Sequence, residues 1–215
     1  MPRLPRKKEE IEGVREKILD KALDVISREG YESLTMRRLG SLLGCAAKTI
    51  YNYYEGKEEI YLHILIRGFR TLNSDADEAL NGIEDPLEKL RALCNAYINF
   101  GLKNIHYYNI MFNYDVPKYL NYLDTHFEPV AREEKETAMY YAVISEAAIS
   151  EILTEKTLDH KGINLREESA FILVRMWSML HGYVSLHNSG SFREYHSNTL
   201  KFQNRIVDNL LKDLE

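Results

Sequence analysis

Residues 35–57, TMRRLGSLLGCAAKTIYNYYEGK, constrain this chain more than any other stretch. Thr35 is placed to cap a short helix whose apolar Met36, Leu39 and Leu43 recur at three- and four-residue spacing, and Gly44 supplies a stop. A second short helix follows within three residues. Over 47–54, Ile50 and Tyr54 turn back toward the first helix, which leaves Ala47, Lys48, Thr49, Tyr51 and Asn52 pointing outward. Two short helices about a tight Gly turn form a helix-turn-helix. The outward set is small, basic and hydroxylated, as a helix entering a DNA major groove requires.

The 215 residues can hold one large domain or a small domain joined to a larger one. With 5 prolines, no strand-like runs and apolar residues at helical spacing almost throughout, the chain reads as all-α. The predicted division is a three-helix helix-turn-helix domain over 1–56 and a larger helical domain over 57–215. The start, MPRLPRKKEE, lacks the apolar core of a secretory leader, and no uncharged run is long enough to span a bilayer, so a cytoplasmic location without a membrane partner is expected. Cys45 and Cys94 lack metal-ligand spacing and read as reduced thiols in apolar helical surroundings.

A net charge of −5 argues at first against nucleic acid. Its distribution reverses that. Residues 1–56 carry 11 Lys and Arg against 9 Asp and Glu, whereas 57–215 carry 17 against 24. A basic N-terminal unit thus precedes an acidic body, and Arg3, Arg6, Lys7 and Lys8 come before any acid. That basic tail is equally readable as a solvated, unstructured segment.

Ile11, Val14, Ile18, Ala22, Val25 and Ile26 make one stripe of a first helix over 8–29, ended by Gly30. A fourth helix over 57–80 leaves the small domain and enters the larger. Asp85-Pro86 starts a fifth, and a short helix over 104–112 and a Tyr-rich connection over 117–129 follow. A long segment over 128–158 carries Tyr140, Ile144, Ala148 and Ile152 among its apolar positions. Asn164 and Ser191, each followed three residues later by Glu, open helices over 165–187 and 192–214. The first of these is apolar on two sides, with Phe171, Val174, Trp177, His181 and Val184 on one and Ile172, Met176, Met179, Tyr183 and Leu186 around the other. Such a helix needs cover on both, from the interior or from a second subunit.

Between residues 19 and 65 the chain resembles the DNA-binding domain of the TetR family of bacterial transcriptional regulators, most closely at Gly30-Tyr31, Thr35-Met36-Arg37, Leu43-Gly44, Thr49-Ile50-Tyr51, Tyr53-Tyr54 and Lys57-Glu58-Glu59. The segment WSMLHG at 177–182, with YNIMF at 108–112, also resembles a subclass of that family with a Trp and His-Gly signature in its ligand domain. The resemblance implies dimerisation through the last two helices, a double-stranded operator, and a small-molecule effector bound among helices four to eight. It implies that Lys48 and Thr49, with Ala47 and Asn52, approach base edges. Tyr51 and Tyr53 take the positions of phosphate-gripping aromatics, Lys57 faces a phosphate at a helix N-terminus, and Thr35 and Arg37 lie where the second helix meets DNA. Two positions depart from the pattern. Ala46 stands where a small polar cap is common, and Arg38 stands where an acid is common, adding positive charge on the DNA side.

Effector candidates are residues with an apolar body and a polar tip: His106, Tyr107, Tyr108, Tyr140, Tyr141, Trp177, His181 and Tyr183, of which His106, Tyr108, Tyr140, Trp177 and His181 form the selected set. Aromatic stripes serve a core as readily as a pocket, and His181 can equally be a satisfied core histidine. The scattered histidines, the absence of paired Cys and the lack of a Gly-rich phosphate loop or nucleophile elbow argue against catalysis, and no cofactor or metal is expected. The sequence therefore predicts a dimeric, ligand-responsive transcriptional regulator, a repressor by preference. The alternative is a DNA-bound structural or protein-recruiting factor without small-molecule control.

Overall fold

The computed structural model describes residues 8–156, 164–196 and 198–214. The basic positions Arg3, Arg6 and Lys7, and the predicted helix end and loop over 157–163, lie outside the described residues. The described residues contain helices and turns but no β-strand, in agreement with the all-α reading.

Of the described residues, one compact unit comprises 8–69 with 106–137. Helix α1 (Lys8–Glu29) buries Ile18, Leu19, Ala22, Val25 and Ile26, while Ile11 at its open end is exposed. Thr35 caps α2 (Met36–Leu42), its hydroxyl accepting from the Arg38 amide at 3.1 Å. Gly44, at φ +67°, reverses the chain as an L-residue with a Cβ rarely can. Helix α3 (Ala47–Ile50) is shorter than the predicted 47–54. Ala46 has no side chain to cap it, and beyond Ile50 the chain continues in i→i+3 and i→i+4 turns, Tyr53 N to Ile50 O at 2.9 Å and Tyr54 N to Ile50 O at 3.1 Å. The first part of α4 (Lys57–Leu80), α6 (Ile105–Tyr108) with a wide π turn over Asn109–Asn113, and the start of α7 (Glu128–Lys156) complete the unit. Leu62, Tyr122 and Ala131 form part of its core, together with a Tyr31–Tyr61 edge contact at 4.9 Å.

The other compact unit comprises the described residues within 70–105 and 138–214. Asp85 caps α5 (Pro86–Lys103) by accepting from the Glu88 amide at 2.8 Å, with Pro86 in the first turn, as the sequence predicts. Helix α8 (Leu165–Asn188) packs on α5 and buries Ile172, Met176, Leu180, Tyr183 and Val184. Val184, grouped from sequence with Phe171, Val174 and Trp177, is buried, whereas Met179 and Leu186, grouped on the other side with Ile172 and Met176, are exposed. The single helix predicted over 192–214 is broken into α9 (Ser191–Tyr195), a 3-10 turn at Leu200–Phe202, α10 (Gln203–Leu211) and a last 3-10 turn. Gly190, not Ser191, takes the cap position, and the Ser191 hydroxyl pairs with Ser189 at 2.8 Å. His196 is extended, its ring Nδ1 accepts the Asn198 amide at 3.1 Å, and the Tyr183 hydroxyl donates to the Thr199 carbonyl at 3.2 Å. Side-chain partners thus outcompete helix continuation through this Asn- and Thr-bearing segment. Cys94 is buried in α5, and burial pushes its thiol up to about 12. Cys45 is a correction to the helical-core reading: it lies half-buried in the turn between α2 and α3, its amide donating to the Gly40 carbonyl at 2.8 Å.

Candidate nucleic-acid interface

The two short helices meet at Gly40, where a Cβ would stand 2.8 Å from the Cys45 carbonyl oxygen and 3.0 Å from the Ala47 nitrogen. Only hydrogen fits there, so α3 can lie directly on α2. Behind them Leu39, Ile50 and Tyr54 are buried and fix the rotation of α3. The consequence is a fixed outer rim. Thr35, Arg37, Lys48, Tyr51 and Asn52 are exposed, with Tyr51 at 54%, while Ala47, Thr49, Tyr53 and Lys57 are half-buried at its margin. All nine predicted DNA-facing residues are thereby accessible on one short segment.

The basic groups are not equally available. The Arg38 guanidinium, read from sequence as extra charge on the DNA side, is instead paired with Glu29 at the end of α1. The Lys57 ammonium lies 3.2 Å from Glu32 Oε2 and 4.5 Å from the centre of the Tyr31 ring. Because the Glu32 side chain is 89% exposed, solvent screens that pair strongly. The first turn of α4 also carries Glu58 and Glu59, so its N-terminus is less open to phosphate than the sequence reading supposed.

A second layer, unnoticed in the sequence, braces the reading turn. Arg15 of α1 donates from Nη1 to the Tyr53 carbonyl at 2.8 Å and stacks 4.3 Å above the Tyr54 ring. Its Nη2 lies 3.3 Å from His63 Nε2, and Glu59 lies 3.6 Å from the same nitrogen. Glu59 also accepts from the Glu55 amide at 2.6 Å. Burial, then the Arg15 charge, lowers the His63 pKa below its usual 6.5, and burial pushes Tyr54 up to about 12. The sequence signal for this layer would have been Arg15 one turn before Leu19 on the stripe of α1, a cation on the edge of an apolar face. Gly40 has a comparable signal, a helix-interior glycine.

The selected effector residues separate. Tyr108 is 0% exposed, its ring tilted against Phe112 at 5.1 Å in the first unit, and His106 beside it is exposed. Tyr108 is therefore a core residue, the outcome that an aromatic stripe most simply predicts. In the second unit Trp177 donates from its indole nitrogen to the Tyr97 hydroxyl at 2.9 Å, and Tyr140 donates to Asp77 at 2.6 Å. The Tyr141 hydroxyl donates to the Leu93 carbonyl, and the Tyr97 and Tyr141 rings lie 6.1 Å apart. His181 is half-buried, 3.4 Å from the Ser185 hydroxyl, and desolvation lowers its pKa. No group of three or more His, Cys, Asp or Glu among the described residues could hold a metal ion. Among them, too, no helix is long and apolar enough to cross a membrane.

Comparison with known proteins agrees with this geometry. Residues 18–64 match the family described as bacterial regulatory proteins, tetR family, and residues 90–210 match the tetracyclin repressor-like C-terminal domain. The transcriptional activator FasR of Mycolicibacterium smegmatis is 28% identical over 113 residues, 53% of this chain and 49% of its own length. The transcriptional repressor KstR of the same organism is 30% identical over 76 residues, 35% of this chain and 37% of its own. The chain thus spans about half or less of these curated relatives. Among solved structures, FadR from Bacillus subtilis in complex with stearoyl-CoA has TM-score 0.64 at 16% identity, covering 91% of this chain and 96% of that one. AibR in complex with isovaleryl coenzyme A and operator DNA has TM-score 0.60 at 16% identity, covering 80% and 85%. With matches to both the reading head and more than half of its length, the chain belongs to the TetR family of DNA-binding transcription regulators.

Proposed function

We propose that the chain acts in the cytoplasm as a homodimeric, ligand-responsive repressor of a pseudo-palindromic operator, with 1–56 reading DNA and 57–215 binding effector and partner subunit. The observation that carries this reading is the outer rim of the two short helices, whose hydroxyl, amide and basic groups stand exposed over a buried support. Lys48, Thr49, Ala47 and Asn52 face base edges. Thr35, Arg37, Tyr51, Tyr53 and Lys57 contact the backbone, Lys57 exchanging Glu32 for a phosphate. Two such heads reach successive major grooves about 34–36 Å apart.

The dimer contact falls to α8, where Phe171 at 61% and Val174 at 59% exposure form an exposed apolar strip. For the effector, the bound thioesters of FadR and AibR favour an acyl-CoA, with Tyr140, Trp177 and His181 the candidate contacts in the second unit. An effector that fits one arrangement of the body better shifts the population of heads by its differential affinity and no more. Relatives of both signs, FasR and KstR, leave repression as the reading favoured by the family's C-terminal description.

Selection of bound duplexes from a random pool, repeated with short- and long-chain acyl-CoA, tests the proposal. A recovered palindrome released by one chain length supports it. A recovered sequence indifferent to every thioester favours a DNA-bound recruiting factor instead.

A further inference from the structure

The polar network behind the reading turn has the form of a proton-controlled latch. Arg15 joins α1 to the far end of the turn twice: its guanidinium holds the Tyr53 carbonyl and covers Tyr54, and its own carbonyl accepts the Tyr54 hydroxyl at 3.5 Å. The same guanidinium directs Nη2 at His63 Nε2 from 3.3 Å. An arginine has no acceptor, so this contact requires a bare lone pair on Nε2 and a proton on Nδ1. Glu59 faces that nitrogen from 3.6 Å and has no donor, so it requires the opposite state. One nitrogen therefore chooses between two partners according to whether it carries a proton.

We propose that Arg15 is a positioning residue for the DNA-reading turn and that protonation of His63 releases it. Adding a proton to Nε2 turns its lone pair into an N–H that donates to Glu59, and it places a cation against the Arg15 guanidinium. Arg15 then loses its acceptor and is repelled from the place where it holds Tyr53. The charged groups facing His63 are Arg15 from α1, Glu59 from its own helix and Glu133 from α7, with the Tyr54 ring 5.5 Å away. The two carboxylates favour the proton; burial and Arg15 oppose it, and they prevail, since the pKa is lowered. The neutral, latched state is thus complete above the ordinary histidine value of about 6.5 and is lost as pH falls through the lower folded value. Binding weakens on acidification. Generic electrostatics predicts the reverse, because protonating any of the 7 histidines adds positive charge toward phosphate.

This inference rests on the placement of the reading turn against DNA given above, and its test separates the two. The full chain is titrated with a duplex selected at about pH 7.5 and measured down to about pH 5.5 at fixed ionic strength. Wild type is expected to lose affinity progressively as pH falls through the folded value of His63, with no loss between about pH 7.5 and the ordinary histidine value. His63→Gln, whose amide can accept from Arg15 and donate to Glu59 at every pH, is expected to give a flat profile; a wild-type profile in that variant overturns the latch. NMR titration of the His63 ring without DNA supplies a second reading, in which Arg15→Met is expected to raise its pKa and Arg15→Lys to raise it less. An unchanged titration in Arg15→Met overturns the inference even if no duplex can be selected. A latch that titrates as expected in a protein that binds no duplex would instead overturn the reading of the turn.

Discussion

The reading head and the effector candidates were chosen from the same sequence, yet the structure treats them differently. Around residues 35–57 each side chain has a geometric assignment: Thr35 caps, Gly40 admits a backbone, Gly44 reverses it, Ile50 and Tyr54 anchor, and Lys48, Tyr51 and Asn52 stay outside. The aromatic candidates have no such division of labour. Tyr108 sinks into a core, His106 is exposed, and Trp177 and Tyr140 take hydroxyl and carboxylate partners in the other unit. A motif is legible when backbone geometry admits few residues at each position. A pocket assembled from ordinary apolar stripes is not, because core and pocket draw on the same residues.

The largest expected effect tests the core side of this contrast. Tyr108→Ala removes a fully buried ring and is expected to cost about 3–5 kcal/mol in denaturant unfolding. A loss below about 1 kcal/mol, with effector release altered, would return Tyr108 to a pocket. Next, Gly40→Ala forces a methyl group against the Cys45 carbonyl and should destabilise the head by about 1–3 kcal/mol, read as a lower Tm together with weaker binding to every duplex. Lys48→Ala should instead leave unfolding stability within about 0.5 kcal/mol of wild type and relax base preference at one position of a selected site, worth about 1–3 kcal/mol of discrimination. An unchanged preferred sequence would mean that α3 is docked in a different register.

Smaller effects sharpen the phosphate side. Lys57→Ala should weaken binding to all sequences alike and lower the salt slope by about 1, whereas Glu32→Gln, which frees the ammonium, should strengthen binding. Opposite signs for these two variants would establish the exchange of Glu32 for phosphate. Trp177→Phe should cost about 1 kcal/mol of stability for the lost bond to Tyr97; a much larger change in thioester response than in stability would mark it as an effector contact.

Helix existence was readable almost everywhere, since a cap and a stop are local events. The Asp85 cap, the Thr35 cap and the span of α1 and α4 follow from neighbours within four residues. The failures share a cause. From its neighbours Arg38 reads as added charge toward DNA, and only the fold brings Glu29, nine residues earlier, beside it; the helix over 192–214 reads as continuous, and only the fold brings Tyr183 to the Thr199 carbonyl.

The amino-acid order by itself thus determined an all-α chain, its helix-turn-helix and the identities of the rim residues, because these depend on 3.6-residue periodicity and on conformations open to few side chains. Tertiary structure alone decided which cations remain available to DNA, which aromatics are core, and that Arg15, His63 and Glu59 meet behind the reading turn. Those outcomes depend on distances of a few ångströms between residues up to 48 positions apart, a separation at which sequence spacing carries no geometric information.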